Sequence, residues 1–317
     1  MISNGMNGEV LAAAGSVLLA CFFFSLMFFL PKIAGADLGW QQVAFIRFAS
    51  AFICICLFIA VRHKPSQWPG VVASRQPLKH VIRACFGVGA VGCIVYAAGH
   101  MHFADVMTIS FTKGGFLLLF SAIFLKEAVG LKRCLAIALS FLGAICVIFA
   151  QGQSISPAIF TGPAGIALMA AAFIAAEITY LKQASSGDRL MPMLFIVNGT
   201  GTALSALLCL LSDQGMPWTG WVPLLLLMGP LAFVGQSLNF LAHCKADATF
   251  LAPFAYVTIL YSAVLGWIFF GEALTVWGFI GAGFLVASGL VVTRTPANTI
   301  VGAQRVDLSV GQRRHSG

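Results

Sequence analysis

Long apolar segments, each about 20 residues in length and separated by short polar stretches, dominate the pattern of this chain. A helix needs about 20 apolar residues to cross a bilayer, whereas strands of a membrane barrel alternate apolar and polar positions. Runs such as LLACFFFSLMFFL (18–30) lack that alternation. The pattern therefore predicts ten spanning helices. We place them at 10–30, 41–61, 80–99, 104–125, 131–150, 162–182, 190–211, 221–242, 247–270 and 275–293.

Composition supports an integral membrane protein, because hydrophobic residues make up 60% of the chain and charged residues 9%. A soluble domain carries about 25% charged residues. The net charge of +8 lies mostly between the spans, so it indicates membrane topology and predicts no nucleic-acid partner. The nine cysteines have no zinc-ligand spacing, and His100 and His102 are too few for a metal site. We expect no cofactor and no metal.

The basic residues predict the orientation of the chain. Even-numbered connections and the C-terminal segment hold fourteen of the 18 lysines and arginines, whereas the odd-numbered connections hold only Lys32. Such an excess marks the cytoplasmic side. We expect a multi-pass protein of a bacterial inner membrane, with a short cytoplasmic N-terminus (1–9) and a disordered cytoplasmic tail (294–317).

The chain contains an internal repeat. Phe124-Leu-Lys-Glu127-Ala matches Phe269-Phe-Gly-Glu272-Ala at an offset of 145 residues, and one more span follows each. The repeat predicts two halves of five spans, 10–150 and 162–293. Because five is odd, the second half enters the membrane inverted, an arrangement typical of secondary transporters with a site near the midplane.

These features resemble the EamA domain of the drug/metabolite transporter superfamily. The similarity rests on motifs that occur in order along 10–293. They are Phe45-Ile-Arg-Phe48, Phe103-Ala-Asp-Val-Met-Thr108, Phe124-Leu-Lys-Glu127, Leu251-Ala-Pro-Phe-Ala-Tyr256, Gly266-Trp-Ile-Phe-Phe-Gly-Glu272 and Gly281-Ala-Gly283. The resemblance implies an all-α, ten-helix transporter with a central cavity that works by alternating access. Lys113-Gly114-Gly115 departs from the small residue and proline of many members, so the family alone does not name the substrate.

Lys113 lies about 13 Å into the fourth predicted span, close to the midplane of a bilayer. A charge at that depth must face protein, water or an anion. We predict an anion contact in the cavity, with a structural ion pair as the alternative.

Two further charged residues lie inside predicted spans. Arg47, about 9 Å deep, has a forked guanidinium that suits a carboxylate, and a structural pair is equally open. Glu177 is open to three roles: pairing with a cavity cation or substrate amine, carrying a coupling proton, or a structural role near the cytoplasmic rim. Arg83 is interpreted as a topology signal.

The remaining candidates are uncharged or lie at helix ends. Amides and tyrosines predicted to line the cavity are Tyr96, Asn198, Gln236, Asn239, Tyr256 and Tyr261. Predicted gating or structural residues are Glu127, Glu272, Gly114, Gly115 and Pro253. For the two glutamates, bracing the following helix is the first interpretation and a gate contact the second. Pro253 predicts an interruption of the ninth span.

Enzyme motifs and nucleotide-binding loops are absent from the sequence, so we predict no enzymatic activity. The favoured function is export of a small polar organic metabolite that carries carboxylates, either amino-acid-like or an opine-type metallophore. Proton coupling fits a buried carboxylate, and the oligomeric state stays open. Import of a nucleotide-like or flavin-like solute is the alternative, and an intramembrane enzyme or sensor is the rival from another class.

Overall fold

A computed structural model of the chain confirms the predicted all-helical membrane fold. It describes residues 2–35, 38–124, 131–150, 162–184, 189–212, 215, 219–245, 251, 254–272 and 275–293. No strand occurs in these ranges. Seven apolar stretches in them are long enough to cross a membrane, and three shorter apolar helices complete the predicted set.

The helices of the described ranges are labelled in chain order, and a 3₁₀ turn (Pro65–Gln67) precedes α3. They are α1 (Ile2–Ala34), α2 (Trp40–Arg62), α3 (Trp68–Val72), α4 (Pro77–His100), α5 (Phe103–Ser110), α6 (Lys113–Phe124), α7 (Leu131–Ala150), α8 (Pro163–Ala184), α9 (Leu190–Leu211), α10 (Val222–Leu225), α11 (Met228–Lys245), α12 (Val257–Phe270) and α13 (Val276–Thr293).

Three boundaries differ from the sequence prediction. Helix α1 begins at Ile2, eight residues before the predicted first span. The fourth span is interrupted at Phe111–Thr112, and the eighth is interrupted at Leu226–Leu227. Hydropathy did not indicate either interruption, because both lie inside stretches that are apolar enough on average to be predicted as spans.

Local hydrogen bonding accounts for the interruption of the fourth span. The hydroxyls of Thr108 and Ser110 donate to carbonyls one turn earlier, which bends a helix. The Thr112 amide then donates to the carbonyl of Ile109, three residues back, as in a tight 3₁₀ turn. Two glycines follow, and glycine is a poor helix former. The span is thus divided into α5 and α6, with Lys113 as the first residue of α6.

Helix packing follows the pattern expected of an inverted repeat. The first predicted span packs on the eighth (α1 on α11), and the third packs on the sixth (α4 on α8). A two-fold axis that exchanges the halves converts one of these pairs into the other. Three further pairs map onto themselves under the same exchange: α2 with α9, α5 with α12 and α7 with α13.

The molecule has two ends, which we call faces. At the first face α1 ends, α2 begins and α4 ends; at the second face α2 ends and α4 begins. Helix α5 runs inward from the first face, and all eight of its residues are buried. Phe29, Phe103 and Ile109 belong to the apolar core around it, together with small residues of α8. The core therefore holds α5 rigidly between the first face and Lys113.

Candidate functional site

Lys113 begins α6 at the interruption of the fourth span. Its side chain is half-buried, and its ammonium lies 4.4 Å from the centre of the Phe111 ring, a cation–π contact. Among the described residues this ammonium has no hydrogen-bond or ion-pair partner. The buried hydroxyl of neighbouring Thr112 also has no partner in that part of the chain. The interruption therefore presents two polar groups that the described protein does not satisfy.

A second interruption meets the first one. Helix α12 starts after a turn at Tyr256, which corresponds to Phe111 at the repeat offset of 145 residues. The two rings touch, with centres 5.1 Å apart. On α1, Ser25 donates a hydrogen bond to the carbonyl of Thr258, and Cys21 donates weakly to that of Ala255. Equivalent turns of both halves thus come together beside Lys113.

Four polar residues form a charged cluster between the two halves. Arg47 of α2 donates to the amide oxygen of Asn198 on α9 over 3.1 Å. Arg83 of α4 pairs with Glu177 of α8 through two nitrogens, at 3.0 and 2.9 Å. One buried nitrogen of each guanidinium, Nε of Arg47 and Nη1 of Arg83, has no partner in the described structure.

The electrostatic balance of this region is positive. Glu177 attracts Lys113 and Arg47 as well as its partner Arg83. In the described part of this region, one carboxylate thus stands against three basic groups, of which Arg83 alone contacts it directly, and an added anion would be attracted. The interpretation of Arg83 as a topology signal was incomplete, because the structure makes it the ion-pair partner of Glu177.

The other candidate residues lie in several places. Tyr256 is at the second interruption, whereas Tyr261 packs edge-on against the ring of Phe22. Gln236 and Asn239 are half-buried on α11. Tyr96 lies near the first face and stacks on His100, with ring centres 4.3 Å apart. The structure therefore places Tyr256 beside the interruption that holds Lys113, whereas Tyr96 lies apart from it near the first face.

The predicted gating residues differ in their surroundings. A side chain at Gly115 would meet Ser140 of α7 at 2.8 Å, so the glycine permits close helix packing, whereas Gly114 faces open space. Glu127 and Pro253 lie outside the described residues. Glu272 follows α12 at the first face.

Glu272 joins the two halves at the first face. One carboxylate oxygen accepts a hydrogen bond from Lys32 at the end of α1, and the other accepts from the amide of Phe103 over 2.9 Å. Lys32 also donates to the carbonyl of Met101 over 2.9 Å. In the described structure Glu272 thus caps the N-terminus of α5 in the opposite half.

A cavity of about 880 Å³ opens beside this ion pair. Its wall includes Lys32, Trp40, Tyr96 and Phe270. Trp40 packs closely on Gly92 of α4. Sequence reasoning did not select Lys32, although a signal was present: it is the only basic residue in the odd-numbered connections.

This combination of ten apolar segments, inverted packing and interrupted helices that meet between the halves defines a multi-pass membrane transporter. The family model of the EamA-like transporter family matches the chain twice, at residues 11–149 and 163–294. The chain belongs to this family. The predicted resemblance is confirmed, and family membership favours transport over enzymatic activity.

Named relatives are transporters as well. The pseudopaline exporter CntI of Pseudomonas aeruginosa (strain UCBPP-PA14) is 28% identical over 298 residues, which cover 93% of this chain and 99% of the relative. A riboflavin transporter of Brucella anthropi is 25% identical over 225 residues, covering 69% of this chain and 78% of that protein. A solved crystal structure superimposes with a TM-score of 0.59 at 15% identity, covering 90% of this chain and 96% of the other. That similarity supports the fold alone.

Proposed function

We propose that the protein is a secondary transporter of a bacterial inner membrane that exports a small polar metabolite bearing carboxylates, either amino-acid-like or an opine-type metallophore. The observation that carries the proposal is the ammonium of Lys113, which lies at an interrupted helix inside a span without a partner in the described chain. A charge inside a span is costly, so a binding role gives a physical reason for its presence. A substrate carboxylate would complete its hydrogen bonding.

The charged cluster supports an anionic substrate. Among the described residues, Arg47 and Arg83 each keep a buried nitrogen without a hydrogen-bond partner, and Glu177 is the acidic side chain paired with Arg83. We assign a second substrate contact to Arg47 and Asn198, and we assign to Glu177 either the substrate amine or the coupling proton. The whole-length similarity to a pseudopaline exporter supports export as the direction of transport.

Import of a flavin-like solute is the second candidate, because three relatives that match part of the chain are riboflavin transporters, at 25%, 27% and 29% identity. In that case stacking on rings such as Phe111 and Tyr256 would outweigh the contact with Lys113. Direction separates the two candidates. Everted vesicles accumulate an exported solute, whereas intact cells accumulate an imported one.

The test begins with the extracellular metabolites of cells that lack the gene and of cells that carry it. The compound whose export is restored is then measured in everted vesicles with Lys113→Met and Lys113→Arg. Losing a charge-assisted hydrogen bond of about 1.5–3 kcal/mol predicts a fall of roughly tenfold to a hundredfold for the methionine variant. The arginine variant keeps the charge and should retain more activity. A parental rate for Lys113→Met, at equal protein in the membrane, contradicts the proposal.

A further inference from the structure

The cavity at the first face, which we call the vestibule, has features of a binding site in its own right. Its volume of about 880 Å³ lies within the range of small-molecule sites. The aromatic side chains of Trp40, Tyr96 and Phe270 form part of its wall, and no acidic residue of the described chain lines it. Lys32 supplies a basic group to that wall.

The Lys32 ammonium is held by groups that a ligand can replace. It contacts Glu272, the carbonyl of Met101 and the ring of Phe270, whose centre is 5.3 Å away. The Lys32 side chain is only 10% exposed, so its contacts are largely shielded from water. A shielded ammonium beside an open cavity binds a carboxylate more strongly than one on a free surface does.

We propose that the vestibule binds an aromatic or otherwise planar carboxylate, whose anionic group takes the place of Glu272 on Lys32. The ring of the ligand packs on the aromatic wall, next to the stacked pair of Tyr96 and His100. This inference goes beyond the proposed function, because it requires neither Lys113 nor a direction of transport.

The exchange breaks only one of the two separate contacts of Glu272. The oxygen that accepts from the Phe103 amide is not the one that contacts Lys32. Glu272 can therefore release Lys32 and still cap α5, which leaves the buried core unchanged. It acts as an internal competitor, so it lowers the affinity of the vestibule for an external carboxylate.

Dansylglycine and its uncharged analogue dansylglycinamide form a matched pair of probes for this site. Both carry the same fluorescent ring system, and only the first carries a carboxylate. Binding to the full chain in lipid nanodiscs is read from dansyl emission and from energy transfer out of tryptophan. Trp40→Phe serves as the positional control, because it removes the tryptophan that lines the vestibule.

Lys32→Met should weaken dansylglycine binding by at least about tenfold, and wild type should bind the amide about tenfold more weakly than the acid. Glu272→Gln should raise the affinity for dansylglycine by about threefold to tenfold, because glutamine keeps the cap on Phe103 but loses the competing charge. Trp40→Phe should reduce the energy transfer. A purely structural ion pair predicts the opposite sign for Glu272→Gln.

Equal binding of the acid and the amide would overturn the inference, and so would unchanged binding in Lys32→Met. Weaker binding of dansylglycine to a Glu272→Gln protein that still elutes as a folded protein would overturn it as well. Lys113→Met separates this inference from the proposed function. The vestibule predicts unchanged dansylglycine binding in that variant, even if its transport is lost. Loss of dansylglycine binding in Lys113→Met would indicate that the probe binds at the interrupted helix, and it would contradict the proposed binding site in the vestibule.

Discussion

Glu177 interacts with several basic residues of the other half of the chain. Its carboxylate holds Arg83 through two nitrogens and also attracts Lys113 and Arg47. The Arg83 and Glu177 side chains are 13% and 23% exposed, so water screens the pair only in part. Removing one partner should therefore cost more than removing both.

We predict that Glu177→Leu lowers the free energy of unfolding by about 1–3 kcal/mol, because it leaves Arg83 without its partner. The double variant Arg83→Met/Glu177→Leu should recover most of that loss. Denaturant titration in mixed micelles measures both values. Recovered stability with transport still absent would indicate that the charges act on the substrate. A fully stable Glu177→Leu protein would contradict the prediction.

At the scale of elements, two interrupted helices and one close crossing shape the molecule. Phe111 and Tyr256 bring the interruptions of both halves together. Helices α7 and α13 cross so closely that a side chain at Gly281 would lie 2.7 Å from the carbonyl oxygen of Gly143. Small residues allow such backbone approach in membranes, where van der Waals packing drives helix association.

Gly281→Ala should destabilise the protein by about 1–3 kcal/mol, because the added methyl group overlaps Gly143 and Val147 and forces α7 and α13 apart. Gly283→Ala, two residues along α13, is the matched control. It has no atom within 4 Å of the added carbon, so its stability should stay within about 1 kcal/mol of the parent. Thermal unfolding of the purified variants checks both. Equal losses at the two positions would count against the close crossing.

At the scale of the whole molecule, the charge pattern predicts which face lies outside the cell. Lys32 is the only basic residue of the odd-numbered connections, so the first face and its vestibule should be periplasmic. The exchange at Lys32 would then occur on the outer side. The charged cluster lies between the two halves, which is where alternating access places a substrate site.

Alkaline phosphatase fused after Gly35 should be active, and the same enzyme fused after Gly70 should be inactive, because only the first connection is expected outside. A fluorescent protein fused at the C-terminus should fold and fluoresce in the cytoplasm. Measuring fusion activity against expression level tests both sites. The reverse pattern would place the vestibule on the cytoplasmic side and would contradict the predicted orientation.

The sequence by itself determined the fold class, the number of spans, the repeat and the family. Each of these depends on local hydropathy or on segments that match one another, and both can be read from the order of the residues alone. It also singled out Lys113, Arg47 and Glu177, since a charged residue inside an apolar segment can be recognised directly in the sequence. The roles of these residues in the site stay predictions.

Only the tertiary structure decided which groups meet. Arg83 and Glu177 are 94 positions apart, and Lys32 and Glu272 are 240 apart, so their pairing depends on how the two halves pack. The interruption at Phe111–Thr112 arises from hydroxyl and 3₁₀ hydrogen bonds that hydropathy does not record. The ammonium of Lys113 could be placed near the midplane from sequence, but its lack of a described partner is a property of three-dimensional contacts.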